Sequence, residues 1–276
     1  MAYFFKVYGE LKMFNKILSV TILVLFVFAA NVAFAATSPS LGAAGSYSVL
    51  AGSIVTNTGP TTVNGDLGVS PSIGVPPHVT GFPPGVVGPP GTIHDADAHA
   101  GLAQAANTAA FGALDQPCTT TYAGTKDLVG SNLVPGVYCA DAFTLTGTLT
   151  LTGSGVWIFK SSSTLITSGT ANVVGGDQCD VWWRVVSSAT LGTNTQLTGN
   201  VLALTSISLQ TGATLNGRAL AQTGQVSLDD NTVTTSSCTS NGGGTGPPVS
   251  VPTMAPIVMI LLIGTMAIVG ARKLEV

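Results

Sequence analysis

The residues able to do chemistry are few. His78, His94 and His99 are the only histidines of the 276-residue chain. His94 and His99 stand five positions apart at the expected start of a helix. That spacing puts them on different faces and predicts no shared metal ion. Asp95 and His99, four apart, would pair on the helix surface. Asp229 and Asp230 adjoin Asn231. Paired carboxylates hold Ca²⁺ or cleave glycosidic bonds when they converge. Neighbours in a strand point to opposite faces, so this trio reads as a turn that ends a coil. Trp157, Trp182 and Trp183 suit stacking on sugars. They read better as core, with Trp157 and one of the adjacent pair in its widest coil. No G-x-S-x-G, H-E-x-x-H or P-loop occurs. The expectation is a protein that is not an enzyme and needs no cofactor or metal.

Four cysteines remain: Cys118, Cys139, Cys179 and Cys238. None has C-x-x-C spacing and no histidine lies near them, which disfavours a metal site. An even count in an exported chain reads as disulfides. Of the three possible pairings, Cys118–Cys139 with Cys179–Cys238 gives the shortest loop and is the expected one.

Charge is scarce throughout. Only 8% of residues are Asp, Glu, Lys or Arg, and nine cations face twelve anions. Three of those cations, Lys6, Lys12 and Lys16, lie at the N-terminus, so no basic patch for nucleic acid can be assembled. Lys12 and Lys16 precede the apolar run Ile17 to Ala30, and Ala33-Phe34-Ala35 supplies an A-x-A site. Residues 1–35 therefore read as a secretory signal peptide, with Met1 or Met13 as the start. At the other end, Met254 to Ala271 is apolar and Arg272-Lys273 follows. This reads as a membrane or sorting segment, residues 254–276, with its cations inside. A Gly/Pro linker, residues 241–253, separates it from one domain, residues 36–240.

The elements that position these residues are mostly strands. From Ala142 to Leu228 the only charged residues are Lys160, Asp177, Asp180, Arg184 and Arg218. Phe143 to Thr152 alternates apolar and Thr, the period of a strand with one face inward. Gln196 to Thr205 matches Thr214 to Thr223 at an offset of eighteen, and Leu209 matches Leu228 at nineteen, suggesting a one-residue bulge. Softer echoes set Ser163-Thr164-Leu165 and Ala189-Thr190-Leu191 against Ile207-Ser208-Leu209. Such repeats predict a β-solenoid with one coil per repeat. Leu41 to Gly91 is also strand-like, except that its Pro- and Gly-rich stretch reads as a loop. One Ala-rich segment breaks the pattern and predicts a helix over about 93–115. It would begin behind Thr92 and Asp95, end before Pro117, and turn Leu102, Ala106, Ala109 and Ala113 to the sheet.

Several runs resemble the microbial ice-binding proteins. They are LAGSIVTNTGP from Leu50 to Pro60, VNGDLGVSP from Val63 to Pro71, VPGVY from Val134 to Tyr138 and LTGTLT from Leu145 to Thr150. WWRVVSSATLGT from Trp182 to Thr193, GNVLALT from Gly199 to Thr205 and GRALA from Gly217 to Ala221 complete the set. The likeness spans about Leu41 to Thr235. It implies a discontinuous β-solenoid of roughly triangular section, with a long helix packed along its side and the N-terminal strands adding a coil beyond the C-terminal ones. It also implies ice as the partner; with the leader and the C-terminal apolar helix, the expectation is a monomeric chain outside the cell or at its surface, in membrane contact through that helix and without a nucleic-acid partner.

Stacked strands repeat every ~4.8 Å, close to a repeat of the ice lattice. Thr presents a hydroxyl and a methyl on a stiff χ1, so a flat Thr face can order water into a matching array. Thr167, Thr193 and Thr211 follow the inward Leu of successive repeats. Thr170, Thr195, Thr214 and Thr232 follow two or three residues later, and Thr56 and Thr58 extend the set. Thr211-Gly212-Ala213-Thr214 resembles the T-G-x-T pattern of the family's ice faces. The competing face carries Thr144, Thr146, Thr148 and Thr150. The other function class on this fold is a surface adhesin or structural module, because outward Thr also suits strands in general.

Overall fold

The computed structural model describes residues 35–71, 74–235 and 238. The expected leader before residue 35, the linker and the apolar C-terminal segment lie outside these residues. Among the described residues no helix is long and apolar enough to cross a membrane.

Three parallel sheets, of nine, eight and eight strands, wrap a triangular solenoid. One coil runs Val181–Val185 in the first sheet, Ala189–Leu191 in the second and Gln196–Thr198 in the third. The next is Asn200–Ala203, Ile207–Leu209 and Thr214–Asn216, and the one after it Ala219–Ala221, Val226–Asp229 and Thr232–Thr234. The predicted offsets are the register. Val201 partners Ala219 and Leu197 partners Leu215, eighteen apart, while Ile207 partners Val226, nineteen apart. Ala189-Thr190-Leu191 stacks on Ile207-Ser208-Leu209 as expected. The Ser163 echo does not hold as written, since Leu165 partners Ala189 instead of Leu191.

The N-terminal strands stack beyond the C-terminal coil, as the resemblance implied. Tyr47–Ala51 pairs with Ala219–Ala221, Val55–Thr58 with Val226–Asp229, and Thr62–Asn64 with Thr232–Thr234. The Pro-rich stretch is not all loop. Between its turns Val79–Thr80 adds to the second sheet and Val86–Gly88 to the third, because short Val-bearing pieces can still complete a coil.

Coil length and core content match. Register spacings along the first sheet are 21 residues from Tyr138 to Phe159, 24 from Phe159 to Trp183, and 18 from Trp183 to Val201 and again to Ala219. The longer coils enclose a wider section, and the aromatics fill it. Phe159 stacks on Trp183 at 4.2 Å and on Tyr138 at 5.5 Å, and Phe143 meets its edge at 5.8 Å. In the 18-residue coils the inward residues of the first sheet shrink to Val201, Ala203, Ala219 and Ala221. Trp157 and Trp183 lie in this interior, while Trp182 belongs to a second core on the outside of the same sheet.

That second core lies under the helix α1, Ala98–Ala113. The helix starts later than the sequence predicted. Ile93–Asp95 is a strand at the end of the first sheet, and Asp97, not Thr92, caps the helix by accepting from the Ala100 amide at 2.8 Å. Its buried face is Ala100, Ala103, Gln104, Asn107, Ala110 and Phe111, whereas Leu102 is 64% exposed. Hydropathy misassigned the face because two amides point inward. Gln104 Nε2 donates to the carbonyls of Ala221 and Gln222 at 2.8 and 2.6 Å, and Asn107 donates to Gln104. The expected Asp95–His99 pair does not form. Asp95 accepts from the His78 amide and meets its Nδ1 at 2.8 Å, while His99 meets the Tyr47 hydroxyl at 2.7 Å.

Cys118 and Cys139 form a disulfide that ties the segment after the helix to the first sheet. Cys179 and Cys238 are each disulfide-bonded, and no free cysteine occurs among the described residues.

Candidate functional site

With the first sheet covered by the helix, the second and third sheets present the open faces. The cations of the repeat region are concentrated on the covered side. Lys160 bonds the Asp115 carboxylate at 2.6 Å and the Gln116 carbonyl at 2.7 Å. Arg184 donates to the Phe111 carbonyl at 3.0 Å and lies over the Phe111 ring. Both therefore serve the carbonyl end of α1, where a cation is favoured. The Lys160 hydrogen bond, with Arg184 close by, holds the Asp115 carboxyl below the usual range. Arg218 is buried at 1% exposure and donates to Asn200 and to the Gly45 carbonyl; desolvation pulls its pKa down to about 10.

The second sheet carries one continuous outward column. Thr80, Thr56, Ser227, Ser208, Thr190, Ile166 and Thr144 are successive register partners, one per coil. All are uncharged, and all but Ile166 bear a hydroxyl. Thr56 donates to Ser227 along the column at 3.4 Å. The alternate residues Val55, Val226, Ile207, Ala189, Leu165 and Phe143 are buried, so the pleat fixes which side faces out. Beside this column run Gln225, Ser206, Ser188 and Thr164, joined by backbone bonds to the neighbouring strands. Asp127 is the next register partner beyond Thr144 and Asp229 borders the face; both are tied down, Asp229 accepting from the Thr211 hydroxyl and Asp127 from the Thr146 hydroxyl at 2.7 Å.

The third sheet carries Val86, Thr62, Thr232, Thr214, Gln196, Asn172 and Thr148 in one column. Asn64, Thr234, Asn216 and Thr198 lie in the next. This face is also uncharged but mixes Thr with longer amides and apolar residues.

The predicted threonines do not form one column. Thr56 is central on the second sheet and Thr58 lies at its border. Thr214 and Thr232 are adjacent on the third sheet. Thr170, Thr193 and Thr211 are exposed at the corner between the two. Thr167 and Thr195 are buried, at 2% and 0% exposure, with their hydroxyls 2.6 Å apart. They are therefore not ice-facing. An offset of eighteen carries Thr195 onto the buried Ala213, and Thr214 aligns with Gln196 instead of with Thr193 or Thr195. The inward corner position recurs in each coil; Asn231 and Thr61 occupy it too and bond to each other. The competing set also divides, Thr144 to the second sheet and Thr148 and Thr150 to the third, with Thr146 in the turn between. Ser227 and Ser208 complete the second-sheet column, and the spacing of Thr alone does not reveal them. Asp229 ends a strand and Asp230 takes a left-handed turn conformation, so the pair marks a corner within a coil and not the end of one.

The family model for ice-binding-like proteins matches residues 49–234. An ice-binding protein of Nostoc sp. is 42% identical over 81% of this chain and 84% of its own length. One from Flavobacterium frigoris is 33% identical over 71% of this chain and 75% of its own. Among solved structures, the ice-binding protein of the Antarctic ascomycete Antarctomyces psychrotrophicus superimposes with a TM-score of 0.67 at 42% identity, covering 72% of this chain and 98% of that one. An ice-binding domain from Shewanella frigidimarina gives a TM-score of 0.65 at 28% identity, over 74% and 99%. With its repeats, its helix-backed solenoid and these relatives, the chain belongs to the ice-binding-like family.

Proposed function

We propose that this protein adsorbs to ice crystals through the open face of its second sheet and so restrains ice growth outside the cell. The observation that carries the choice of face is the register-locked column from Thr80 to Thr144, in which seven successive coils each offer one short uncharged side chain before Asp127 ends the run. Six intervals of ~4.8 Å make that column about 29 Å long. Short side chains on a hydrogen-bonded sheet lose little rotamer entropy when water orders against them, whereas the Gln and Asn residues of the third sheet lose more. Many weak contacts on a rigid surface add up because little is spent on ordering it. Thr56 and Thr58 belong to this face; Thr193, Thr211 and Thr170 would flank it at the corner.

The protein acts on this reading as a single exported chain without catalytic chemistry, delivered by its leader and held near the cell by its C-terminal apolar segment. The test is partition of the wild type into a slowly growing ice hemisphere, with thermal hysteresis measured for Ser208→Tyr and Thr214→Tyr. Ser208 is the middle member of the column, so a protruding ring there lifts the flanking rungs off a flat lattice. Ser208→Tyr is expected to lose most activity and Thr214→Tyr to keep it, both with near wild-type melting. Loss in Thr214→Tyr alone transfers the site to the third sheet, and exclusion of the wild type from ice removes the functional reading.

A further inference from the structure

At the N-terminal-strand end of the solenoid, one carboxylate meets two histidines of a later segment. Asp66 begins the strand Asp66–Val69, His94 lies in the adjoining strand Ile93–Asp95, and His99 lies in the first turn of α1. One ligand atom from each lies within 4.8 Å of the others. We propose that Asp66, His94 and His99 bind a divalent transition-metal ion of the Zn²⁺ type, clamping the start of the helix to the end of the first sheet.

The surroundings orient both imidazoles. Asp97 engages His94 Nδ1 at 2.7 Å, and the Tyr47 hydroxyl engages His99 Nδ1 at 2.7 Å. Each ring is thus held through Nδ1, which leaves Nε2 as the donor a metal ion would take, the arrangement in which a carboxylate or other partner fixes a metal-binding histidine. The rings stand 4.4 Å apart between centroids. Tyr47 is itself fully buried, and its ring packs over Gly68, where a Cβ would collide with it. Asp66 Oδ1 accepts from the Thr92 amide at 2.9 Å, which aims the carboxylate into the cluster. The Thr92 hydroxyl stands 2.8 Å from His94 Nε2 and 3.3 Å from Asp66 Oδ1, between two of the ligands.

Metal–ligand bonds of 2.0–2.2 Å place the donors of a tetrahedral ion roughly 3.3–3.6 Å apart, so the cluster closes by about 1 Å and the Thr92 hydroxyl turns aside. His99 is exposed, so its side chain has room to make that movement. Two imidazoles and one carboxylate select Zn²⁺, Ni²⁺ or Cu²⁺ over Ca²⁺ or Mg²⁺, which prefer all-oxygen shells. Three protein ligands leave the fourth position to water. The sequence hid the site because its helix was expected to include both histidines; with His94 in a strand, their five-residue spacing no longer keeps them apart.

The experiment uses tag-free protein stripped with chelator, titrated with Zn²⁺ by calorimetry, and with Co²⁺ for its visible absorption. One equivalent is expected, with a rise in Tm. His78, the remaining histidine, is buried and present in every variant, which keeps background binding constant. His99→Ala should lose affinity by at least ~10-fold together with the Zn²⁺-dependent Tm rise, and Asp97→Asn should weaken binding roughly 10–100-fold. Asp97→Asn keeps the helix cap, since Asn caps as well as Asp, and it decides the matter if His99→Ala does not melt cooperatively. No stoichiometric binding by the wild type, or wild-type affinity in the folded variants, overturns the proposal.

Discussion

Thr195→Val tests most directly whether exposure, and not residue type, decides which threonines matter. Thr195 and Thr167 sit inside the corner between the second and third sheets, their hydroxyls 2.6 Å apart. Thr167 Oγ1 also accepts from the Gly192 amide at 2.9 Å, and either hydroxyl can donate in the bond between the two threonines. Valine keeps the shape at 195 but removes the hydroxyl partner of the buried Thr167 side chain, at a cost of about 1–3 kcal/mol. In a domain of this size about 1 kcal/mol moves Tm by 2–4 °C, so the expected fall is roughly 2–12 °C. Replacing both partners with valine leaves no hydroxyl to satisfy, although the Gly192 amide then loses its acceptor. The double variant should therefore recover part of the loss without returning fully to the wild type. The assay is thermal unfolding of the two single variants and the double, alongside ice-recrystallisation inhibition normalised to folded protein. Inhibition should be unchanged in all of them. If Thr195→Val melts like the wild type but no longer inhibits recrystallisation, the hydroxyl meets ice and the burial argument fails.

Three further outcomes follow from particular contacts. Gly217 has φ 149° and lies against the Gly199 carbonyl, so Gly217→Ala should cost more than the roughly 1–3 kcal/mol of positive-φ strain alone. Gly112→Ala in α1 meets open space and should stabilise by about 0.5–1 kcal/mol; denaturant melts of the two variants must move in opposite directions. Asp115, its pKa held down by Lys160 and Arg184, contributes stability above its unfolded pKa that is lost as pH falls through the folded one; Asp115→Asn should therefore flatten the acid limb of Tm against pH, and an unchanged limb refutes the role.

What the sequence determined by itself was whatever depends on period and composition. Alternation of Leu and Thr set inward and outward faces, and the offsets of eighteen and nineteen residues became the coil register because parallel strands stack equivalent positions. Cys118–Cys139 followed from loop length. What only the tertiary structure decided was where each coil turns its corners. A shift of one residue there moves a threonine from water to core, which is why Thr195 is buried while Thr214 is exposed. The helix face escaped for a related reason: Gln104 and Asn107 become interior residues once the solenoid offers them backbone carbonyls and each other, and no hydropathy pattern records a partner more than a hundred residues away. The meeting of Asp66, His94 and His99 belongs to the same class, since it exists only because the N-terminal strands close the end of the solenoid against the first turn of the helix.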